Sequence, residues 1–158
     1  MLKEISDAGH TIGIHSASHD YEKIYASVDA FLADFKEAYD IVLEATGKAP
    51  DIYRFPGGSV NDYNTDTRDD IIAEMARRGF TYFDWNVDSN DWQGYGWTTL
   101  YTNVLADAQE FSTPVILFHN TGDRDNTVLV IEDIIKALKD KGYKFGSLSH
   151  KTEPIQFQ

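Results

Sequence analysis

The sequence predicts an α/β fold of repeated βα units on parallel strands, and three observations lead to it. Short apolar runs of strand character alternate along the chain with longer segments of helical periodicity. The connecting turns are too short for hairpins to replace those helices. Every strand candidate but the last ends in polar, chemically able side chains, as expected where parallel strands deliver residues to one face.

The first element is a helix over Met1–Gly9, with Leu2 and Ile5 on one face and Gly9 as its stop. A chain that opens inside a helix is expected to be missing the start of its domain. Thr11–Ile14 is the first strand candidate. Val28, Phe31, Phe35, Tyr39, Val42 and Leu43 recur at helical spacing, with Ser27 as N-cap and Gly47 as stop. Asp51–Phe55 is a second strand, closed by Pro56-Gly57-Gly58. Asp66–Gly79 is a helix whose Arg77 and Arg78 suit its C-terminal dipole. Phe80–Val87 is an aromatic-rich strand, Thr98–Glu110 a helix, and Thr113–Phe118 an apolar strand. Thr127–Lys141 is the last long helix, followed by Gly142 and a final strand around Tyr143–Leu148. Five strand candidates cannot close an eight-unit barrel. Residues 1–158 read as a single domain without internal repeat or linker.

Composition excludes several classes of function. A formal net charge of -12 repels phosphate backbones and anionic lipid, so no nucleic-acid partner is expected. No apolar stretch reaches membrane-spanning length. The chain has no cysteine, which removes disulfides, thiolate metal sites and Cys nucleophiles.

The strand ends read His15-Ser16-Ala17-Ser18-His19, Arg54-Phe55-Pro56-Gly57-Gly58, Asp88-Ser89-Asn90-Asp91-Trp92 and His119-Asn120. Two imidazoles four positions apart lie on one side of a helical turn, close enough to share a cation of the zinc type. An isolated His-x-x-x-His is more often a turn cap beside a solvated ring; its company at the strand ends favours the metal reading. Two ligands are too few for a catalytic zinc, so a third, a carboxylate, is expected from elsewhere. His119 closes the most apolar strand and is either a satisfied core histidine or a proton donor. Asp91 could orient that imidazole or pair with Arg54, and Arg54 could hold a carboxylate. The Gly57-Gly58 backbone is either a plain tight turn or a source of N–H groups for an oxyanion.

Taken in order, these segments, with Gly9–Ile14 before the first and Leu117-Phe118 before the last, resemble the motifs of the NodB-homology polysaccharide deacetylases, carbohydrate esterase family 4. The resemblance runs from about Lys3 to Leu148. It implies a distorted (β/α) barrel that removes acetyl groups from N-acetylglucosamine polymers such as peptidoglycan or chitin. It implies a divalent metal, most often zinc, and an extracellular or cell-wall location in bacteria. By resemblance His15 and His19 bind the metal, and Ser16 steadies their loop. Arg54 orients the catalytic base, and Gly57 offers an oxyanion N–H. Asp91 orients Arg54 and tunes the acid, Trp92 and Leu117 wall the acetyl pocket, and His119 is the general acid.

This chain departs from the family pattern at Asp20, where Pro usually follows the second histidine, at Gly57, often aromatic, and at Asn120, usually Asp. The Thr-Phe-Asp-Asp-Gly strand end, which supplies the base and a third ligand, has no counterpart here. The barrel is therefore expected to lack its first unit or units, with impaired activity and an edge open to self-association. The alternative is an inactive glycan-binding module of the same fold, using Trp92, Tyr95, Trp97 and Tyr101.

Overall fold

The computed structural model describes every residue except Thr121, Asp123 and Arg124. The described chain forms two compact units, Met1–Asp84 with Ser147–Gln158, and Trp85–Gly146.

In the first unit, helices α1 (Leu2–Asp7), α2 (Tyr21–Ile24), α3 (Val28–Thr46) and α4 (Arg68–Arg77) accompany strands β1 (Ile52–Tyr53) and β2 (Thr81–Tyr82). The Ser27 hydroxyl caps α3 by accepting from the Ala30 N–H at 3.1 Å, and Gly47 ends it in the left-handed conformation. Both assignments follow the sequence reading. β1 and β2 pair in parallel. The expected Thr11–Ile14 strand is reduced to one parallel bridge between Ile14 and Tyr53. The core is aromatic: Tyr25, Phe31, Phe35, Tyr53, Phe55 and Tyr82 pack with Ile24, Ile71 and Met75. Phe55, Ile71 and Met75 are fully excluded from water. Each such side chain contributes about 1.5–3 kcal/mol of burial.

The second unit holds β3 (Val87–Asp88), a 3-10 turn at Asp91–Gln93, α5 (Trp97–Ala108), β4 (Ile116–Leu117) and α6 (Asp125–Asp140). β3 and β4 are parallel, with Asp88 beside Leu117. Leu100, Val104 and Ala108 of α5 meet Val130, Ile134 and Leu138 of α6 around Val87. Those spacings of four residues are the stripe that makes each helix amphipathic.

Two strand expectations need correction. Phe80–Val87 is not one strand, because its backbone changes partner at Asp84: the Phe83 N–H donates to the Tyr53 carbonyl, while the Asp84 N–H donates to Ile155. The tail 147–158 thus takes the ladder position that a longer strand would fill, and Arg68 Nη2 also donates to the Phe157 carbonyl at 3.3 Å. Tyr143–Leu148 forms no strand. The Tyr143 N–H is spent on the Leu138 carbonyl at 3.0 Å, closing α6 over Gly142. This is the six-to-one bond of a Schellman motif, and the same bond closes α1 through His10 and α4 through Phe80.

Candidate active site

In the first unit, His15 follows the Ile14 bridge and its Nδ1 lies 2.9 Å from the Arg54 carbonyl. A carbonyl only accepts, so Nδ1 carries the hydrogen and Nε2 keeps its lone pair. The His15 and His19 rings stand 5.1 Å apart between centroids. No helical turn brings them together, contrary to the sequence reading. The segment is an irregular loop, and His19 takes a left-handed backbone with φ of 53°, a conformation that costs a non-glycine residue about 1 kcal/mol or more.

What holds this loop is Asp34, a residue the sequence reading passed over. Its carboxylate accepts from the Ser16 hydroxyl at 2.6 Å, the Ala17 N–H at 3.0 Å and the Ser18 N–H at 2.9 Å. Ser16 Oγ in turn accepts from the His19 N–H at 2.8 Å, which fastens the strained residue. Burial alone would raise the Asp34 pKa, but the hydrogen bonds from Ser16, Ala17 and Ser18 outweigh it and hold the carboxyl below its ordinary value. The signal was present: a carboxylate lies between Phe31 and Phe35 on the inward stripe of α3. Asp20, where the family pattern has proline, accepts from the Lys23 N–H and caps α2.

Arg54 donates from Nε to the Phe83 carbonyl at 2.9 Å and from Nη2 to the Asp84 carbonyl at 3.2 Å. Burial draws the guanidinium below its ordinary pKa, and the Asp84 charge opposes that. Gly57 and Gly58 both have positive φ, 77° and 83°, so the turn after Phe55 is one that side-chained residues rarely adopt. The loop is anchored by Asp84, fully buried, which accepts from Ser59 N at 2.8 Å, Ser59 Oγ at 2.6 Å and Phe157 N at 2.8 Å. Nothing in the sequence pattern singled out Asp84.

In the second unit, Asp91 is 2% exposed. Its carboxylate accepts from His119 Nδ1 at 2.7 Å, His119 N at 2.8 Å and Thr127 Oγ1 at 2.8 Å. Burial works against the charge, yet these bonds from His119 and Thr127 hold the Asp91 pKa below its ordinary value. The acid thus fixes the His119 tautomer, leaving Nε2 to exchange a proton. Thr127 was read only as the start of a helix; no sequence signal marks it as an Asp91 partner. Leu117 is buried in β4, and the Trp92 side chain is 53% exposed.

The paired imidazoles, one with its tautomer set by a carbonyl, fit two positions of a zinc-type site. Among the described residues, no group of three or more His, Cys, Asp or Glu side chains is placed to hold a metal.

Known proteins resemble this chain over most of its length. The pattern of the polysaccharide deacetylase family matches residues 1–82. A putative polysaccharide deacetylase of Bacillus subtilis, YheN, is 32% identical over 98% of this chain and 54% of its own length. The solved catalytic domain of a peptidoglycan N-acetylglucosamine deacetylase from Eubacterium rectale is 33% identical and superposes with a TM-score of 0.94. That superposition covers 100% of this chain and 74% of the solved one. A polysaccharide deacetylase structure from Bacillus cereus gives 29% identity and a TM-score of 0.83, covering 99% and 75% of the two chains. The chain spans about half the length of the first relatives it matches, 54% and 57%. It belongs to the polysaccharide deacetylase family, carbohydrate esterase family 4, and has the distorted (β/α)-barrel fold of the NodB type.

Proposed function

We propose that residues 1–158 belong to one metal-dependent N-deacetylase domain, which hydrolyses acetamide groups on an N-acetylglucosamine polymer of peptidoglycan or chitin type, and that this chain by itself turns over slowly. The observation that carries this reading is the His15–His19 pair, 5.1 Å apart, with His15 Nδ1 committed to the Arg54 carbonyl. Relatives named as peptidoglycan N-acetylglucosamine deacetylases, at 29% and 31% identity, support the choice of polymer. They also support a cell-wall or extracellular setting. Among the described residues, no helix is long and apolar enough to cross a membrane.

His15 and His19 would hold the divalent ion, most readily zinc. Bound there, it supplies Lewis acidity toward the acetyl carbonyl and the attacking water. The water's proton needs a carboxylate base of the kind that the Thr-Phe-Asp-Asp-Gly strand end supplies in the family, and residues 1–158 hold no counterpart of it. Arg54 would orient that base, and the Gly57 N–H donates to the oxygen that becomes negative as the carbonyl is attacked. His119 Nε2 gives its proton to the departing amine nitrogen, so that acetate and a free amino sugar leave. Asp91, accepting from Nδ1, fixes the ring for that transfer. Trp92 and Leu117 offer the apolar surface that accepts the acetyl methyl group.

Acetate release from N-acetylglucosamine oligomers, followed with added zinc or cobalt and with chelator, tests the reading. The expected result is slow release that requires metal, disappears in His15→Ala and falls further in His119→Ala. Release indifferent to chelator and to both substitutions would overturn it. Oligomer binding that survives chelation without any acetate release would favour the glycan-binding module instead.

A further inference from the structure

A run of aromatic rings leads away from the paired imidazoles. Tyr21, the first residue of α2, has its ring centroid 5.3 Å from that of His19. Tyr63 lies 5.1 Å beyond Tyr21. Tyr21 is half-buried, whereas Tyr63 is 53% exposed. A single exposed tyrosine in a turn needs no explanation. Two features separate this one from that ordinary case.

The first is rigidity. Asn61 Oδ1 accepts from the Tyr63 N–H at 2.9 Å and the Asn64 N–H at 3.2 Å. The Asn61 Nδ2 group donates to the carbonyls of Pro56 at 3.3 Å and Gly58 at 2.9 Å. Asn64, 1% exposed, returns a bond from Nδ2 to the Ser59 carbonyl at 3.1 Å. The Tyr63 ring therefore stands on a loop whose backbone is already fixed, so a ligand stacking on it orders little of the chain. The second feature is Gly57. A Cβ at that position would lie 3.3 Å from the Tyr21 hydroxyl and 3.5 Å from Asn61 Nδ2. Glycine leaves the edge of Tyr21 open to a ligand, where a larger side chain would press on it.

We propose that Tyr63, backed by Tyr21, is a saccharide-stacking platform that holds a sugar adjoining the one being deacetylated. Tyrosine suits a pyranose: its flat apolar face takes the C–H face of the ring, and its hydroxyl meets the equatorial hydroxyls. Asp62 and Asp66 flank Tyr63 in a chain of net charge -12, which favours a neutral or amino sugar over an anionic one. This subsite rests on the deacetylase reading and assigns it a second sugar position.

Calorimetric titration with the di- and tetrasaccharide of N-acetylglucosamine, with and without zinc, tests it. The wild-type chain is expected to bind the tetrasaccharide more tightly than the disaccharide. Tyr63→Ala should raise the tetrasaccharide Kd about tenfold and leave zinc binding unchanged. Tyr63→Phe should retain most of the affinity, because stacking needs the ring. Ile41→Ala, removing an equally exposed side chain from α3, should change nothing. A tetrasaccharide Kd unaltered by Tyr63→Ala overturns the subsite while leaving the deacetylase reading intact. A wild-type chain that binds neither oligomer overturns both. Loss of self-association in Tyr63→Ala, with glycan binding unchanged, would make this a surface between copies and would also refute the proposal.

Discussion

Replacing Asp34 by alanine removes the acceptor on which the histidine loop is built. Three donors lose their partner: the Ser16 hydroxyl and the N–H groups of Ala17 and Ser18. A hydrogen bond to a charged acceptor is worth about 1.5–3 kcal/mol, and water can reach parts of this exposed loop, so we expect a loss of about 3 kcal/mol. For a chain of 158 residues, that corresponds to a fall in Tm of roughly 6–12 °C. Asp34→Asn keeps one acceptor oxygen but turns an NH2 group toward a donor, and about half the loss is expected. With the loop loosened, His19 is freed from its strained backbone and the pair is no longer preorganised. Zinc affinity should then fall about 10–100-fold, the usual effect of removing a group that orients metal ligands. Ser16→Ala belongs to the same network. Its effect and that of Asp34→Ala should fall short of adding, by about 1 kcal/mol, in a double-mutant cycle. Thermal unfolding measured alongside zinc titration by calorimetry reads both quantities. An Asp34→Ala chain that melts within about 1 °C of wild type and binds zinc normally would refute the argument.

Further predictions follow from buried polar groups. The Tyr53 hydroxyl is buried without a hydrogen-bond partner among the described residues, and burial drives its pKa far above the ordinary value. Tyr53→Phe should therefore raise stability by about 1 kcal/mol, and a lower denaturation midpoint would contradict this. Asp84→Ala strands both Ser59 donors and the Phe157 N–H. A loss of about 3 kcal/mol or more is expected, with hydrogen exchange rising in 55–59 and 155–158; exchange unchanged in either segment would count against the anchor. Asp91 has a folded pKa below its unfolded value near 3.9. Its stabilisation is complete above that value and is lost as pH falls through the folded pKa. Asp91→Asn should then be less stable than wild type at neutral pH by about 2 kcal/mol. The gap should close below about pH 4 in melts at stepped pH; a gap constant down to pH 2 would assign the effect to packing.

Helices were more legible than strands, and the reason is local. Ser27, Gly47 and the spaced apolar residues of α3 act within a few positions of one another, so the sequence contains both the cap and the stripe. A strand is defined by its partner. Nothing in Phe80–Val87 announces that the tail will pair with Asp84. Nothing in Tyr143–Leu148 shows that its first N–H closes a helix. The motif side chains were legible because their residue types are chemically rare and ordered along the chain. Their supports were not. Asp34, Asp84 and Thr127 lie 18, 25 and 36 residues from the groups they hold, and only Asp34 left a trace, as a carboxylate on an apolar stripe.

The two histidine sites of the proposal share one device by different means. His15 gives its Nδ1 hydrogen to a neutral carbonyl, and His119 gives its own to a buried carboxylate. A neutral acceptor fixes a tautomer without favouring the protonated ring, which suits a ligand that must stay unprotonated to bind a cation. A buried carboxylate fixes the tautomer too, and holds the ring through a charge-assisted bond, which suits a group proposed to pass a proton from Nε2 to a leaving amine. On the proposed reading, the metal ligand is oriented by a backbone carbonyl and the acid by a carboxylate. On this argument Asp91→Asn, which keeps an oxygen for Nδ1–H but removes the charge, should impair proton donation and leave zinc binding at His15 and His19 unaltered.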